Sequence, residues 1–485
     1  MSRLLDSFLM MGLDADIGAS GVLRNPRTFK GAGQVIAVND TGFDTGSNDD
    51  TPPAFTGRIL TMKNAHDPSL SVADTVSHGT AVAGCIVASG VCDEVGGDVS
   101  GIAPAARLVI QSLIDGDGNW SPVKLRGIFE RPYLDQNVRI VNSSFGPAHG
   151  FQPAYGDTEE PNTIDHLVCE HPDLLFVNAA GNTGSDDETP RVAALGSAKN
   201  AITVGASRSR RRQDQDGTSN PQGLCYSKTD IAPFSSAGPT RERFTSPHLM
   251  APGTAIRVAS SRASSNHESP WSYMSGTSFA CPIISGCCAV VREMILACST
   301  EYPAASLIKA IMINAANGPG TVAGEGEGLP GPRWGWGFAN LDAALRRTGL
   351  DHNFGYHRGL SQGEQVLIYL PVVAETILKT TLVWSDPPGD HLINDLRLDV
   401  FANGDQDRRE LRATDQRQEN VRQLCVSLSS LPSQARWTLC VTGVKYGFVP
   451  GYTPERDQPF ALVYSLDPVR SNEHPVEIVH VVSGT

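Results

Sequence analysis

Residues 34–42 read Gln-Val-Ile-Ala-Val-Asn-Asp-Thr-Gly, a short unbroken apolar run (Val35–Val38) followed by an amide, an acid and a turn. Four other stretches repeat the form: ARLVIQSL (106–113), VRIVNSSFG (138–146), LLFVNAAGN (174–182) and NAITVGA (200–206). Each has the length of a strand, and its apolar core lacks the alternation of a strand with one wet face. Such strands, separated by longer helix-compatible stretches, predict an α/β fold with a parallel sheet flanked by helices. In such sheets functional groups collect beyond the carboxyl ends of the strands. Asp40, Ser144 and Asn182 stand at or just past three of those ends.

The pattern changes near residue 350. After the helix-like FANLDAALRRTGL (338–350), candidate strands alternate with turn-forming clusters: EQVLIYLPV, KTTLVWSD, DLRLDVFANG, RWTLCVTGV, FALVYSL and EIVHVV. They predict a C-terminal antiparallel β-sandwich or jelly roll. The Gly- and Pro-rich stretch 317–337 reads as a loop inside the first domain, because a helix-compatible segment still follows it. The chain of 485 residues therefore divides into an N-terminal extension (1–20), an α/β domain (21–350) and a β-domain (351–485).

A formal charge of −13 argues against a nucleic-acid partner, whose phosphates require a basic face. The opening MSRLLDSFLMMGLDADIG has an apolar run interrupted by Asp6 and no small-x-small cleavage site, so it reads as a short amphipathic helix. No stretch reads as the ~18–20 apolar residues that cross a bilayer, and no membrane partner is expected. Synthesis in the cytoplasm is the expectation, with release lacking a recognisable signal peptide as the other route. Cys85, Cys281, Cys287, Cys288 and Cys298, of ten cysteines, lie in apolar helix-like segments and read as free thiols. No Cys-x-x-Cys pair suggests zinc. Cys425 and Cys440, on two candidate strands, are the first pair to test for a disulfide.

Three segments carry chemistry. VIAVNDTGFDTG (35–46) sets Asp40 after a strand, VSHGTAVAGCIVASG (76–90) sets His78 at a helix start, and SGTSFACPIISG (275–286) sets Ser278 at another. Taken singly, the first is a turn, the second a helix cap and AAGN (179–182) another turn. Together they form a nucleophilic set: a serine hydroxyl needs an imidazole to take its proton, and the imidazole needs a carboxylate to fix its tautomer. A helix start also offers unsatisfied N–H groups to a developing oxyanion, and the Asn182 amide can join them. Gly276 permits close backbone approach, and Pro282 is tolerable near a helix start.

These motifs, in the order Asp, His, Ser, resemble the subtilisin-like serine proteases, the subtilases. GIAPAARLVIQSL (101–113), LGSAKNAITVGA (195–206), FSSAGPT (234–240), MAPGT (250–254), SLIKAIMINAA (306–316) and GWGFANLDAAL (335–345) extend the likeness. LINDLRLDV and QPFALVYS, after LVWSDPPG, resemble the β-domain of the oxidatively stable alkaline protease branch. The resemblance implies a serine endopeptidase: Asp40 orients the imidazolium, His78 is base then acid, Ser278 forms an acyl-enzyme, and Asn182 and the Ser278 N–H bind the oxyanion. It also implies that Ser144, Phe145 and Gly146 pair with an extended peptide, facing a pocket wall of Ala179, Ala180 and Gly181. No cofactor is implied for catalysis. A structural calcium ion is an option the family often uses, with Asp386, Asp395 and Asp399 as candidate ligands.

The substrate expected is a protein or peptide. A dedicated maturation protease or transpeptidase acting on one partner is the alternative, and a catalytically silent binding protein the remote one. Asp186, Asp187 and Glu188 either border the specificity pocket, favouring Lys or Arg before the cut, or form a solvated loop. Only 39 residues precede Asp40, about what the mature domain needs. The expectation is a separate inhibitor or folding-helper protein, or a cleft covered by residues 1–20. His248 stands where relatives usually carry an acid, which leaves a local buried hydrogen bond to be explained. Phe279 follows the nucleophile where many relatives have Met. Hydrogen peroxide should therefore not inactivate the enzyme through this position, with Cys281 the other oxidisable group nearby. Activity lost in peroxide while Cys281 stays reduced would count against this.

Overall fold

The computed structural model describes residues 29–92, 97–121, 123–145, 159–184, 192–209, 230–298, 303–318, 330–347, 359–371, 376–403, 408–413, 419–427, 436–447 and 457–468. Its first strands are β1 (Val35–Asp40) and β2 (Ile59–Asn64), followed by a separate hairpin, β3 (Ser89–Cys92) and β4 (Gly97–Ser100). Then come β5 (Arg107–Ser112), β6 (Ile140–Ser143), β7 (Leu175–Ala179), β8 (Ile202–Ser207) and β9 (Leu249–Pro252). Seven of these form one sheet in the order β2-β5-β1-β6-β7-β8-β9, all parallel. The five strands read from apolar runs are present. β2 and β9 were not read as strands: β2 lies at one edge and is half-buried, and β9 is only four residues long.

Every residue of β1 is buried, which explains why its apolar run is unbroken. Ile36 and Val38 are fully enclosed, each worth ~1.5–3 kcal/mol against exposure. Helices α1 (His78–Val87), α2 (Leu125–Gln136) and α3 (Glu159–Glu170) precede the core helix α4 (Thr277–Cys298). In α4, one segment is long and apolar enough to cross a membrane by length and composition, correcting the expectation that none would be. Burial inside the protein covers 89% of that window, which makes α4 the core helix of this fold. Pro282 is the sixth residue of α4 rather than part of its first turn, so it forgoes a helical bond to the Ser278 carbonyl. A two-stranded ribbon, β10 (Ile256–Ala259) with β11 (Trp271–Met274), leads into α4. Helices α5 (Ala305–Ala315) and α6 (Leu341–Arg347) follow it.

The C-terminal strands are β12 (Gln365–Pro371), β13 (Thr376–Trp384), β14 (Asp395–Asn403), β15 (Arg408–Ala413), β16 (Val421–Ser427), β17 (Arg436–Lys445) and β18 (Phe460–Pro468). They form two antiparallel sheets, β12-β17-β14-β15 and β16-β13-β18. Leu378, Leu382, Trp384, Leu396, Leu398 and Leu439 belong to their shared core. β15 and β16 are absent from the six runs read as strands, although the candidate strand assigned to Cys425 is β16; Arg408, Arg409, Glu410 and Arg412 crowd β15. EIVHVV (477–482) and the N-terminal extension lie outside the described residues.

The β13 sheet packs on α5 through polar groups. Lys379 Nζ donates to the Ala316 carbonyl at 2.8 Å, and the Thr381 hydroxyl donates to Asn314 Oδ1 at 3.0 Å. Both side chains are buried, though Lys and Thr alternating with apolar residues would suit a wet face. Cys425 and Cys440 lie in different sheets, and the disulfide considered for them is not formed. The local bond questioned at His248 is supplied by its own ring. His248 Nδ1 accepts the Thr203 N–H at 3.0 Å, leaving the ring proton on Nε2, 3.0 Å from Lys309 Nζ. Burial, aided by the Lys309 charge, holds the His248 imidazole well below its usual value. Burial also pulls Lys309 down to about 7, and in its neutral form the amine can accept the Nε2 proton.

Candidate active site

The strand order reverses direction at β1, whose neighbours are β5 on one side and β6 on the other. Asp40 ends β1 and Ser144 follows β6, so both lie at the carboxyl edge of the sheet where that reversal opens a crevice. His78 begins α1. Gly79, directly after it, must be glycine: a Cβ there would sit 2.3 Å from the Gly42 carbonyl oxygen. That contact brings the start of α1 onto the turn after β1.

The result is a bond of 2.7 Å between His78 Nδ1 and Asp40 Oδ1. A carboxylate can only accept, so Nδ1 carries the proton and Nε2 keeps its lone pair. Asp40 Oδ1 also accepts the Thr41 N–H at 2.8 Å. The Asp40 side chain is 2% exposed, against 28% for His78, so the acid is enclosed and the imidazole accessible. Burial pulls the His78 pKa down, but the Asp40 charge and hydrogen bond, with the Asp74 charge behind them, raise it above its ordinary 6.5.

Asp74 was missed in the sequence. Fully buried, it accepts from the Thr41 hydroxyl (2.8 Å), the Ser77 N–H (2.8 Å), and the Thr80 N–H (2.8 Å) and hydroxyl (2.7 Å). It thus ties the turn after β1 to the first turn of α1, and burial raises its pKa. The available signal was an acid four residues before His78 in DTVSHGT (74–80).

Ser278 is the second residue of α4, where N–H groups have no helical acceptor. Its hydroxyl donates to the Ser144 carbonyl at 3.0 Å, and the hydrogen bond to His78 is not formed in this structure. The Phe279 ring, next in sequence, lies 5.4 Å from the His78 ring, centroid to centroid. Asn182 Oδ1 accepts from the Thr277 N–H (2.8 Å) and hydroxyl (3.0 Å). Both bonds go to the amide oxygen, which turns Nδ2 toward Gly276, where a Cβ would stand 3.4 Å away. Thr277 also accepts the Gly181 N–H at 3.2 Å, a linking role not read from the sequence although GTS (276–278) contains it.

Phe145 packs on Trp120 with ring centroids 4.7 Å apart. Ala179 and Ala180 are buried, and Ala180 accepts the Ala193 N–H at 2.9 Å. Gly146 and the acidic trio Asp186, Asp187 and Glu188 lie outside the described residues. Cys281 is fully buried with its thiol pushed up to about 12 by desolvation, poorly placed for oxidation.

The three carboxylates proposed for calcium do not fit one ion. Lys199 holds Asp386 at 2.6 Å, Arg422 holds Asp395 at 2.8 Å and Arg397 holds Asp399 at 2.7 Å. Four residues along one strand, Asp395 and Asp399 are also ~13 Å apart. Among the described residues Glu130, Glu170 and His171 converge, but Arg126 bridges the two glutamates.

A serine at a helix start, beside an aspartate–imidazole pair on the edge of a parallel sheet, is the arrangement of a serine-nucleophile hydrolase. Residues 31–356 match the model of the subtilase family, and the chain belongs to that family. Serine protease AprX of Bacillus subtilis (strain 168) is 29% identical over 291 residues, covering 57% of this chain and 60% of AprX. The serine protease/ABC transporter B family protein tagA of Dictyostelium discoideum is 24% identical over 487 residues, covering 77% of this chain and 27% of tagA. The chain thus spans 60% or less of the length of these two relatives. A solved structure described as a lanthipeptide protease superposes with a TM-score of 0.52 at 17% identity, covering 72% of this chain and 96% of that one.

Because its pKa is raised, His78 should lose its basic form at a higher pH than a free imidazole as the solution is acidified. The rate of Ser278 modification by a fluorophosphonate should fall with a midpoint above 6.5. Asp74→Asn, which removes the more distant charge, should move that midpoint down. A midpoint below 6.5 in the wild type, or one that Asp74→Asn raises, would contradict the charge arrangement.

Proposed function

We propose that this protein is a serine endopeptidase that cuts polypeptides through an acyl-enzyme. The observation that carries the reading is the His78–Asp40 bond, which presents a free Nε2 lone pair beside the helix start bearing Ser278. Rotation about the Ser278 Cα–Cβ bond, between staggered wells, moves its hydroxyl from the Ser144 carbonyl to Nε2. Apo sites commonly tighten such contacts only when substrate binds.

His78 then takes the hydroxyl proton as Ser278 Oγ bonds to the substrate carbonyl carbon. The carbonyl oxygen becomes an oxyanion, received by Asn182 Nδ2 and the Ser278 N–H. Asp40 stabilises the imidazolium without itself becoming protonated. Collapse breaks the C–N bond while His78 gives its proton to the departing amine. Water, losing a proton to the same nitrogen, attacks the ester, and return of that proton to Ser278 Oγ releases the acid. An extended substrate lies between Ser144 and Phe145, just past β6, and the Ala179–Gly181 wall, where backbone pairing tolerates many sequences.

A fluorophosphonate should label the purified full chain at Ser278, and Ser278→Ala should abolish both labelling and peptide cleavage. Asn182→Ala should lower kcat by about 10²–10³, the range measured on another member of this family, with KM changed little. Labelling or cleavage that survives Ser278→Ala would overturn the reading.

A further inference from the structure

Segment 192–200 joins two places that the chemistry above does not connect. At one end it lies against the proposed pocket wall. Ala193 N–H donates to the Ala180 carbonyl at 2.9 Å, and Asn178 Nδ2 donates to the Leu195 carbonyl at 2.8 Å. A Cβ added at Gly196 would stand 3.4 Å from the Ala179 carbonyl oxygen. The chain turns there, and both Thr203 (2.8 Å) and Ser246 (3.1 Å) donate their hydroxyls to the Gly196 carbonyl.

At the other end the segment is held by the β-domain. Lys199 Nζ lies 2.6 Å from Asp386 Oδ2 and donates to the carbonyls of His391 (2.9 Å) and Gly389 (3.3 Å). Asn200 exchanges two bonds with the Asp386 backbone: its Nδ2 donates to the carbonyl at 2.8 Å, and its Oδ1 accepts the N–H at 2.9 Å. Asp386 is itself fixed by the N–H groups of Ile393 (3.0 Å) and Asn394 (2.7 Å). The two charged side chains are 1% and 0% exposed.

Replacing such a pair by well-packed apolar residues often costs no net stability, and in some proteins the pair instead specifies one arrangement. We propose that Lys199 and Asp386 are positioning residues for the substrate pocket, through which the β-domain sets the wall at Ala179–Gly181. The inference rests on the protease reading, because that reading makes these residues a wall. Five residues separate Ala193, bonded to the wall, from Lys199 in the clamp, and the Gly196 carbonyl is pinned between them. Movement of the 386–391 loop is therefore delivered to the pocket through a short segment bonded at both ends and at Gly196 rather than absorbed by slack chain.

The test uses the full chain with Asp386→Asn, which removes the charge and keeps the shape. Circular dichroism checks folding, a small alkyl fluorophosphonate reads the nucleophile, and two peptide series differing only in Ala or Phe before the cut read the pocket. Labelling should stay within about twofold of wild type, while KM for the Phe peptide rises at least about fivefold relative to the Ala peptide. If Asp386→Asn does not fold, Lys199→Met with Asp386→Leu removes both charges and should give the same KM shift. An unchanged KM ratio in whichever variant folds overturns the proposal and leaves the protease reading intact. Failure of wild-type Ser278 to react with the fluorophosphonate would instead sink that reading.

Discussion

The hydrogen bond between Asp40 and the His78 ring, 2.7 Å long, is the contact on which the site depends. It joins residues 38 positions apart, from a strand end and a helix start that meet only when the parallel sheet closes under α1. Its chemical effect is to choose a tautomer. With the proton held on Nδ1, the other ring nitrogen is a base; reversed, the imidazole would face Ser278 as a donor. Thr41 and Asp74 stand behind the contact, one bonding to the carboxylate that grips the ring and the other lending charge that raises the basicity of His78.

Much of the fold was legible because burial leaves a direct trace in residue type. β1, buried throughout, is apolar from Val35 to Val38, and β7 and β8 follow the same logic. The trace weakens at edges and interfaces. β2 is half-buried and carries Lys63, while β15 has four charged residues in six. Lys379 and Thr381 have the polarity that suits a wet face, yet they meet α5, where a carbonyl and an amide satisfy them. Patterning registers polarity but not whether a partner waits across an interface.

The candidate site divides in the same way. Asp40, His78, Asn182 and Ser278 were legible because a nucleophile, a base, a carboxylate and an oxyanion donor are restrictive as a set. Asp74 and Thr277 were not, since they act by orienting neighbours and any short polar residue reads equally well as a cap. The three carboxylates suggested as calcium ligands, and the suggested disulfide, failed for a related reason. Asp386, Asp395 and Asp399 are acidic and close in sequence, but Lys199, Arg422 and Arg397 claim them separately. Cys425 and Cys440 belong to different sheets. Residue type was read correctly in both cases; the third dimension was not.

The tautomer of His78 can be observed directly by nitrogen-15 NMR of the histidine-labelled chain, well above the pKa of the ring. Here the structure predicts a neutral imidazole with its proton on Nδ1, a deshielded proton signal from the bond to Asp40, and Nε2 at the shift of an unprotonated nitrogen. A neutral ring carrying its proton on Nε2 would contradict this, because Ser278 would then face a donor instead of a base.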